Sequence, residues 1–268
     1  MTPADVDFLA ELVRQRAGVV LPPDGAYLAE TQLAPIARTE HHPATDGLIA
    51  ALRNSPPEPL LALVTEALLN SETQFFRDRV VFQALREFVL PTHAAARPGG
   101  VVRVWSAACG TGQEPYSLAM LGAELGLNLD LCASDLSERA LEKARSGLYT
   151  QFEVQRGLPV AQLLRSFDKV EDAWRVRPAL RQAIRWRRFN LLDDAAPLGR
   201  FDLILCRNLT SQMTAQAQAA VLGNMARVLA PDGLLVLGLD ESAAPDMFEA
   251  APGGRGLFKL SQRSRATA

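Results

Sequence analysis

A chain of 268 residues, 48% hydrophobic and 22% charged, has ordinary globular composition and suits one large domain or one medium domain with a small partner. Its 28 basic and 30 acidic side chains leave a net charge of -2, which argues against bulk nucleic-acid binding. No charged-then-apolar leader opens the sequence and no apolar run reaches membrane-spanning length, so a cytoplasmic location without membrane insertion is expected.

Residues 1–70 read as a helical domain. In "ADVDFLAELVRQRAG", Val6, Leu9, Leu12 and Val13 recur at helical spacing and Gly18 follows as a stop. "AYLAETQLAPIART" and "PLLALVTEALLN" are further amphipathic helices, punctuated by "PPDG" and "NSPPEP". The stretch 71–100 links onward through a helix, "VVFQALREFVLPTHAAA", to the breaker "RPGG". Over 101–268 the pattern changes. Strand-length apolar runs ("VVRVWS", "LDLCAS", "IRWRRF", "FDLILC", "LLVLG") alternate with helix-length segments, which predicts a doubly wound α/β domain around a parallel sheet. Residues 148–184 are too long for one crossover helix. They hold a short helix, a polar turn at "DKVED" and a strand at "AWRVR", and are expected to form a small inserted subdomain. The end, "SQRSRATA", reads as a frayed tail.

Cys109, Cys132 and Cys206 sit in or beside apolar strands and read as reduced, buried thiols. His41, His42 and His93 lie far from any Cys or acidic pair at ligand spacing, so no metal site is expected.

The first strand runs into "SAACGTGQEP", where a doubly wound sheet binds ligands beyond its carboxyl ends. Gly110 and Gly112 permit positive φ and close backbone approach, and Pro115 suits a first helical turn. No Gly-Lys-Ser/Thr follows and the third glycine of a dinucleotide fingerprint is missing, which leaves a non-pyrophosphate ligand or a bare structural turn. "LCASD" ends the second strand with Asp135, placed either to take both ribose hydroxyls or to cap the helix "DLSERALEKARSG". Together, loop and carboxylate point to a nucleoside ligand.

Six segments then come together: "NSETQFFRD" (70–78), "VRVWSAACGTGQEPYSLAM" (102–120), "ASDLSERALEKARSGLY" (133–149), "RFNLL" (188–192), "FDLILCRN" (201–208) and "LAPDGLLVLG" (229–238). In order and spacing they resemble the CheR family, the S-adenosylmethionine-dependent methyltransferases of chemotaxis receptors, over about residues 65–240. The resemblance implies a Rossmann-like class I methyltransferase domain with an inserted subdomain, preceded by a small all-α domain. It implies S-adenosyl-L-methionine as cofactor, S-adenosyl-L-homocysteine as product, and receptor glutamate carboxylates as methyl acceptors in sensory adaptation. Carried over residue by residue, the family's cofactor contacts fall on Ser71, Thr73 and Arg77, on Gly110 and Glu114, on Asp135, on Asn190 and Leu191, and on Arg207 and Asn208. Asp135 is expected to hold the ribose and Asn190 with Leu191 the adenine edge. Glu114, Arg207 and Asn208 are expected to fix the methionine part. Arg77 and Asn208 are the catalytic assignments, Arg77 meeting the incoming carboxylate with its planar fork or else pairing with Asp78 or another surface acid.

The chain departs from the family at three places. Ser71 replaces an Asn, Gln113 replaces the first of two Glu residues, and "LTSQMT" (209–214) replaces an aromatic stretch, with Gln212 where the family has its active-site Tyr. That last change keeps two alternatives: a methyltransferase of the family acting on another acceptor, and a non-catalytic S-adenosylmethionine-binding signalling scaffold. A carboxylate acceptor is ionised above its pKa of about 4.3, so no general base is required. Phe75 and Phe76 are expected to serve packing, and Tyr116 and Trp105 the core. Cys109 has no partner base.

Six arginines (Arg175, Arg177, Arg181, Arg185, Arg187 and Arg188) lie between 173 and 188 with no acid. They read as a solvated, salt-bridged face, as a surface steering the acidic helices of chemoreceptor cytoplasmic domains, or as an RNA contact, which has no interleaved aromatic platform beyond Trp174 and Trp186. Family members that tether a receptor C-terminal pentapeptide carry a Gly-rich loop in the insertion. The turn "FDKVEDAWRV" is Gly-free, with only Gly157 nearby, so a pentapeptide-independent enzyme is expected.

Overall fold

The structure, a computed structural model, describes residues 1–22, 25–69 and 72–265. The chain divides into two compact units, Met1–Asn70 with Gln212–Gln218, and Ser71–Ser211 with Ala219–Ala268.

The first unit is helical: α1 (Pro3–Ala17), α2 (Gly25–Thr39), α3 (Thr45–Arg53) and α4 (Glu58–Leu68). Thr2 and Asp5 form a reciprocal capping box at the start of α1, and Gly18 closes it in the left-handed region at φ 70°. Leu9, Val13, Leu33, Leu48 and Val64 are wholly buried and make its core. The segment 212–218 joins this unit through backbone pairing: Val19 bridges Met213, Val20 N–H donates to the Gln212 carbonyl at 2.8 Å, and Thr214 N–H donates to that of Gly18 at 2.9 Å.

The second unit opens with α5 (Arg79–Ala84), a π-helical turn Leu85–Val89 and α6 (Leu90–Ala96), where one helix was expected. Pro91 explains the irregular turn, since it has no N–H to donate and its ring crowds the carbonyl four residues back. The sheet consists of β1 (Val101–Ala107), β2 (Asn128–Asp135), β6 (Ile184–Arg188), β7 (Phe201–Cys206), β8 (Leu229–Val236), β9 (Phe248–Ala250) and β10 (Leu257–Leu260). Their order is β6-β2-β1-β7-β8-β10-β9. The first five strands in that order run parallel. β10 pairs antiparallel with β8, and β9 antiparallel with β10, so the parallel expectation is corrected at one edge. Every residue of β7 is buried, as a central strand covered on both faces requires. The winding direction reverses between β1 and β7, which places the ligand crevice at their carboxyl ends. Helices α7 (Gln113–Leu125), α8 (Glu138–Ser146) and α12 (Ala215–Val228) connect strands, and a short α13 (Gln262–Arg265) forms where a frayed tail was expected.

Between α8 and β6 lies the insertion: β3 (Leu148–Thr150), α9 (Gln151–Gln155), α10 (Val160–Ser166), β4 (Phe167–Val170), β5 (Ala173–Val176) and α11 (Pro178–Gln182). Its strands form an antiparallel sheet in the order β3-β5-β4. The Phe75 ring meets Tyr149 and Phe167 edge-on at 5.1 and 5.7 Å, and a Cβ on Gly157 would fall 2.1 Å from the Phe75 carbonyl oxygen. Phe75 is therefore a packing residue, the role expected of it. The arginine run is partly paired: Arg177 with Asp168 at 3.2 Å and Arg185 with Asp130 at 2.7 Å, while Arg188 donates to the Leu136 carbonyl.

Candidate functional site

The loop after β1 turns through three left-handed residues, Ala108 (φ 53°), Gly110 (φ 54°) and Gly112 (φ 95°). Gly110 N–H donates to Asp135 Oδ2 at 2.8 Å, and Ser137 N–H to Asp135 Oδ1 at 2.9 Å. The cap of α8 is Ser137, whose hydroxyl oxygen accepts from Ala140 N–H, so the capping alternative for Asp135 does not hold. The carboxylate instead binds the Gly loop to the end of β2. Gly112 cannot be another residue without cost: an added Cβ would lie 2.8 Å from Ala144 Cβ, 3.0 Å from the Trp186 ring and 3.1 Å from the Tyr149 hydroxyl.

Glu114 follows in the first turn of α7. Its Oε1 accepts from the Ser106 hydroxyl at 2.7 Å and its Oε2 from Arg207 Nη1 at 3.0 Å. Arg207, at the carboxyl end of β7, has a side chain only 3% exposed; its Nη2 meets Asp78 Oδ2 at 2.8 Å and its Nη1 also reaches the Arg77 carbonyl. Its Nε is buried without a partner among the described residues. The segment before the sheet is pinned again by Phe76 N–H, which donates to the Ser117 hydroxyl at 2.9 Å. Arg77 is half-buried and its guanidinium forms no hydrogen bond or ion pair among the described residues: Asp78 pairs with Arg207, and Arg77 acts only through its charge, helping Arg156 to lower the Glu72 carboxyl. Thr73 is half-buried on the same segment, and Ser71 lies outside the described residues.

Asn208 sits in the left-handed region (φ 61°), a conformation Asn tolerates, and its N–H donates to Glu241 Oε2 at 2.8 Å. Glu241 also accepts from Gly238 N–H at 2.7 Å and Ser211 N–H at 3.2 Å, tying the ends of β7 and β8 together. Beyond β6, Asn190 Oδ1 accepts from Leu192 N–H at 3.1 Å. The Asn224 amide donates to the carbonyls of Leu191 at 2.9 Å and Asp193 at 2.7 Å. Thus Gly110, Asp135, Asn190, Leu191, Arg207 and Asn208 stand at the carboxyl ends of β1, β2, β6 and β7 or in the turns that follow them, with Glu114 in the first turn of α7.

Burial pushes the Cys109 and Cys206 thiols well above their ordinary range, which suits inert core cysteines. Among the described residues no group of three or more His, Cys, Asp or Glu could hold a metal ion, and no helix is long and apolar enough to cross a membrane.

A family profile described as "CheR methyltransferase, SAM binding domain" matches residues 71–256. The chain belongs to the CheR methyltransferase family. It is 33% identical over 270 residues to chemotaxis protein methyltransferase Cher2 of Pseudomonas putida, covering 94% of this chain and 98% of that one. It is 34% identical to chemotaxis protein methyltransferase 1 of Pseudomonas aeruginosa over 93% of this chain and 96% of that one. S-adenosylmethionine is accordingly the cofactor of this CheR-family methyltransferase. The motifs quoted from the sequence did not reach Glu241 or Asn224, and they assigned no partner to Ser106 and not the true partner of Asp78. Glu241 left one signal, an acid three residues past Gly238 at the carboxyl end of a parallel strand.

Proposed function

We propose that the protein transfers the methyl group of S-adenosylmethionine to glutamate side-chain carboxylates of chemoreceptor cytoplasmic domains, giving methyl esters in sensory adaptation. The observation that carries this reading is Arg77. Its backbone carbonyl and its neighbour Asp78 are both held by Arg207, while its own guanidinium forms no hydrogen bond or ion pair among the described residues, its charge acting only at a distance on the exposed Glu72. A planar fork presented in this way suits an incoming carboxylate.

The residues present fit the cofactor. The buried, unpartnered Nε of Arg207 offers an N–H beside Glu114, where a carboxylate of the methionine part would be met. Asp135 would take the ribose diol, Asn190 and Leu191 the adenine edge, Thr73 and Gly110 further contacts, and Asn208 with Glu114 the methionine part. When bound, S-adenosylmethionine supplies an electrophilic methyl on a sulfonium cation. The chain supplies alignment: Glu241 sets Asn208, Arg207 sets both Arg77 and Glu114, and an ionised acceptor needs no proton removed. Positioning of this kind accounts for roughly 7–11 kcal/mol in well-oriented systems.

The acceptor surfaces we infer are acidic receptor helices, recognised without a C-terminal pentapeptide. The exposed Arg175 and Arg187, which no acid in their own sequence run neutralises, support this, as does the compact β4–β5 turn at Glu171.

The test is incubation of the protein with methyl-labelled S-adenosylmethionine and receptor cytoplasmic fragments. Base-labile label on glutamate, released as methanol, is expected. Base-stable label, or none, would overturn the reading.

A further inference from the structure

A cavity of about 250 Å³ opens between α8, α11 and β6, lined by Arg145, Pro178, Arg181, Gln182 and Trp186, none of them among the residues assigned to the cofactor. No carboxylate lines it. Arg145 gives one terminal nitrogen to Glu138, and Arg181 gives its Nε to the Val176 carbonyl at 3.1 Å. The terminal nitrogens of Arg181, the Gln182 amide and the Trp186 indole N–H have no hydrogen-bond partner among the described residues. The wall thus combines guanidinium and amide donors with the apolar Trp186 side chain and the Pro178 ring.

Two of these groups, Trp186 and Arg181, are also held in place. The Trp186 ring packs on Tyr116 at 5.5 Å between centroids, and its inner edge lies against Gly112. The Arg181 stem lies on Gly147, where an added Cβ would come within 2.7 Å of Arg181 Cδ. The ordering cost of Trp186 and Arg181 is therefore largely met before a ligand arrives. Guanidinium forks match phosphate oxygens, and an indole face accepts a flat ring. The volume falls just below the roughly 300–1,000 Å³ of ordinary ligand pockets, which favours a mononucleotide over anything larger.

We propose that this cavity is a second ligand site, for a nucleoside monophosphate, with the phosphate on Arg145 and Arg181 and the base over Trp186. The test uses the full chain saturated with S-adenosylhomocysteine, so that the cofactor site is filled. Calorimetric titrations with adenosine and guanosine monophosphates, adenosine and inorganic phosphate are then compared. One or both monophosphates should bind saturably, with adenosine and inorganic phosphate at least about tenfold weaker, a gap of about 1.4 kcal/mol. Arg181→Lys and Arg145→Gln should each weaken the nucleotide severalfold while S-adenosylhomocysteine affinity, which reports an intact fold, stays unchanged. Gln182→Ala, an exposed change, provides a third probe should either arginine variant misfold, and should also weaken the nucleotide. The proposal is overturned if neither monophosphate binds up to about 5 mM, a ceiling near the weakest specific affinities. It is equally overturned if binding survives unchanged in the folded variants, or if inorganic phosphate binds as tightly as the nucleotides.

Discussion

Arg207 and Glu114 form a 3.0 Å ion pair across the point where the sheet reverses its winding, joining the end of β7 to the first turn of α7. The same guanidinium also reaches Asp78 and the Arg77 carbonyl, so one buried side chain positions three elements of the site. Arg207→Lys keeps the charge but not the fork, and one ammonium cannot serve all three partners. Buried acceptors left unmet cost about 1–3 kcal/mol, which should appear in thermal melts and as a cofactor affinity lower by about tenfold. Calorimetry with S-adenosylhomocysteine showing undiminished affinity would remove Arg207 from the site.

Asp135 is a second point of convergence, since its two oxygens already hold Gly110 and Ser137. Asp135→Ala should weaken S-adenosylhomocysteine by about 5–150-fold, the equivalent of about 1–3 kcal/mol. Asp135→Asn, with one acceptor oxygen left, should fall between. Parent-like affinity in the alanine variant would sink the ribose assignment.

Gly112→Ala tests the loop's packing. The new methyl would press on Ala144, Trp186 and Tyr149 at a backbone φ of 95°. Overpacking of about 1–3 kcal/mol and a left-handed penalty of about 1–2 kcal/mol should add, lowering the melting temperature by several degrees. An unchanged melt would mean that α8 and the insertion yield more readily than their packing implies.

At the opposite end of the sheet, Arg97 bonds Asp202 through its Nε at 2.6 Å and grips Asp232 with both terminal nitrogens. The hydrogen bonds from Arg97 hold the Asp232 carboxyl below its ordinary 3.8. A carboxyl depressed on folding stabilises the fold above its unfolded pKa, and that contribution disappears as pH falls through the folded value. Asp232→Asn should therefore destabilise the protein at neutral pH by no more than about 0.5–1 kcal/mol, because the group is largely exposed. The difference from the parent should close below about pH 4, as denaturant melts across pH would reveal. A gap that persists at pH 2–3 would contradict the assignment.

What the sequence revealed depended on how local the cause was. The run "FDLILC" is apolar enough to declare a central strand by itself, and all six residues are buried in β7. β9 and β10 escaped because three and four residues, separated by the glycine-rich "PGGRG", carry no visible alternation; pairing with β8 creates them. The helix α3 was hidden by Gly47 and by its short length. In the site, Asp135 and Glu114 were legible from adjoining motifs. The role of Glu241 was not, because its partners at 208, 211 and 238 meet only after β7 and β8 lie side by side.

The backbone pairing of Val19 and Val20 with Gln212 and Met213 sets a constraint on how this chain can be cut. The helical unit is discontinuous: it takes the first 70 residues and then borrows seven more from deep in the second half. A deletion that starts the protein at residue 71 would remove the backbone bonds that Gln212 and Thr214 make to Val20 and Gly18, just ahead of α12. Gene fusions that exchange N-terminal halves between relatives meet the same difficulty. Either the transplanted half brings a matching 212–218, or the graft arrives with its last backbone pairs unmade.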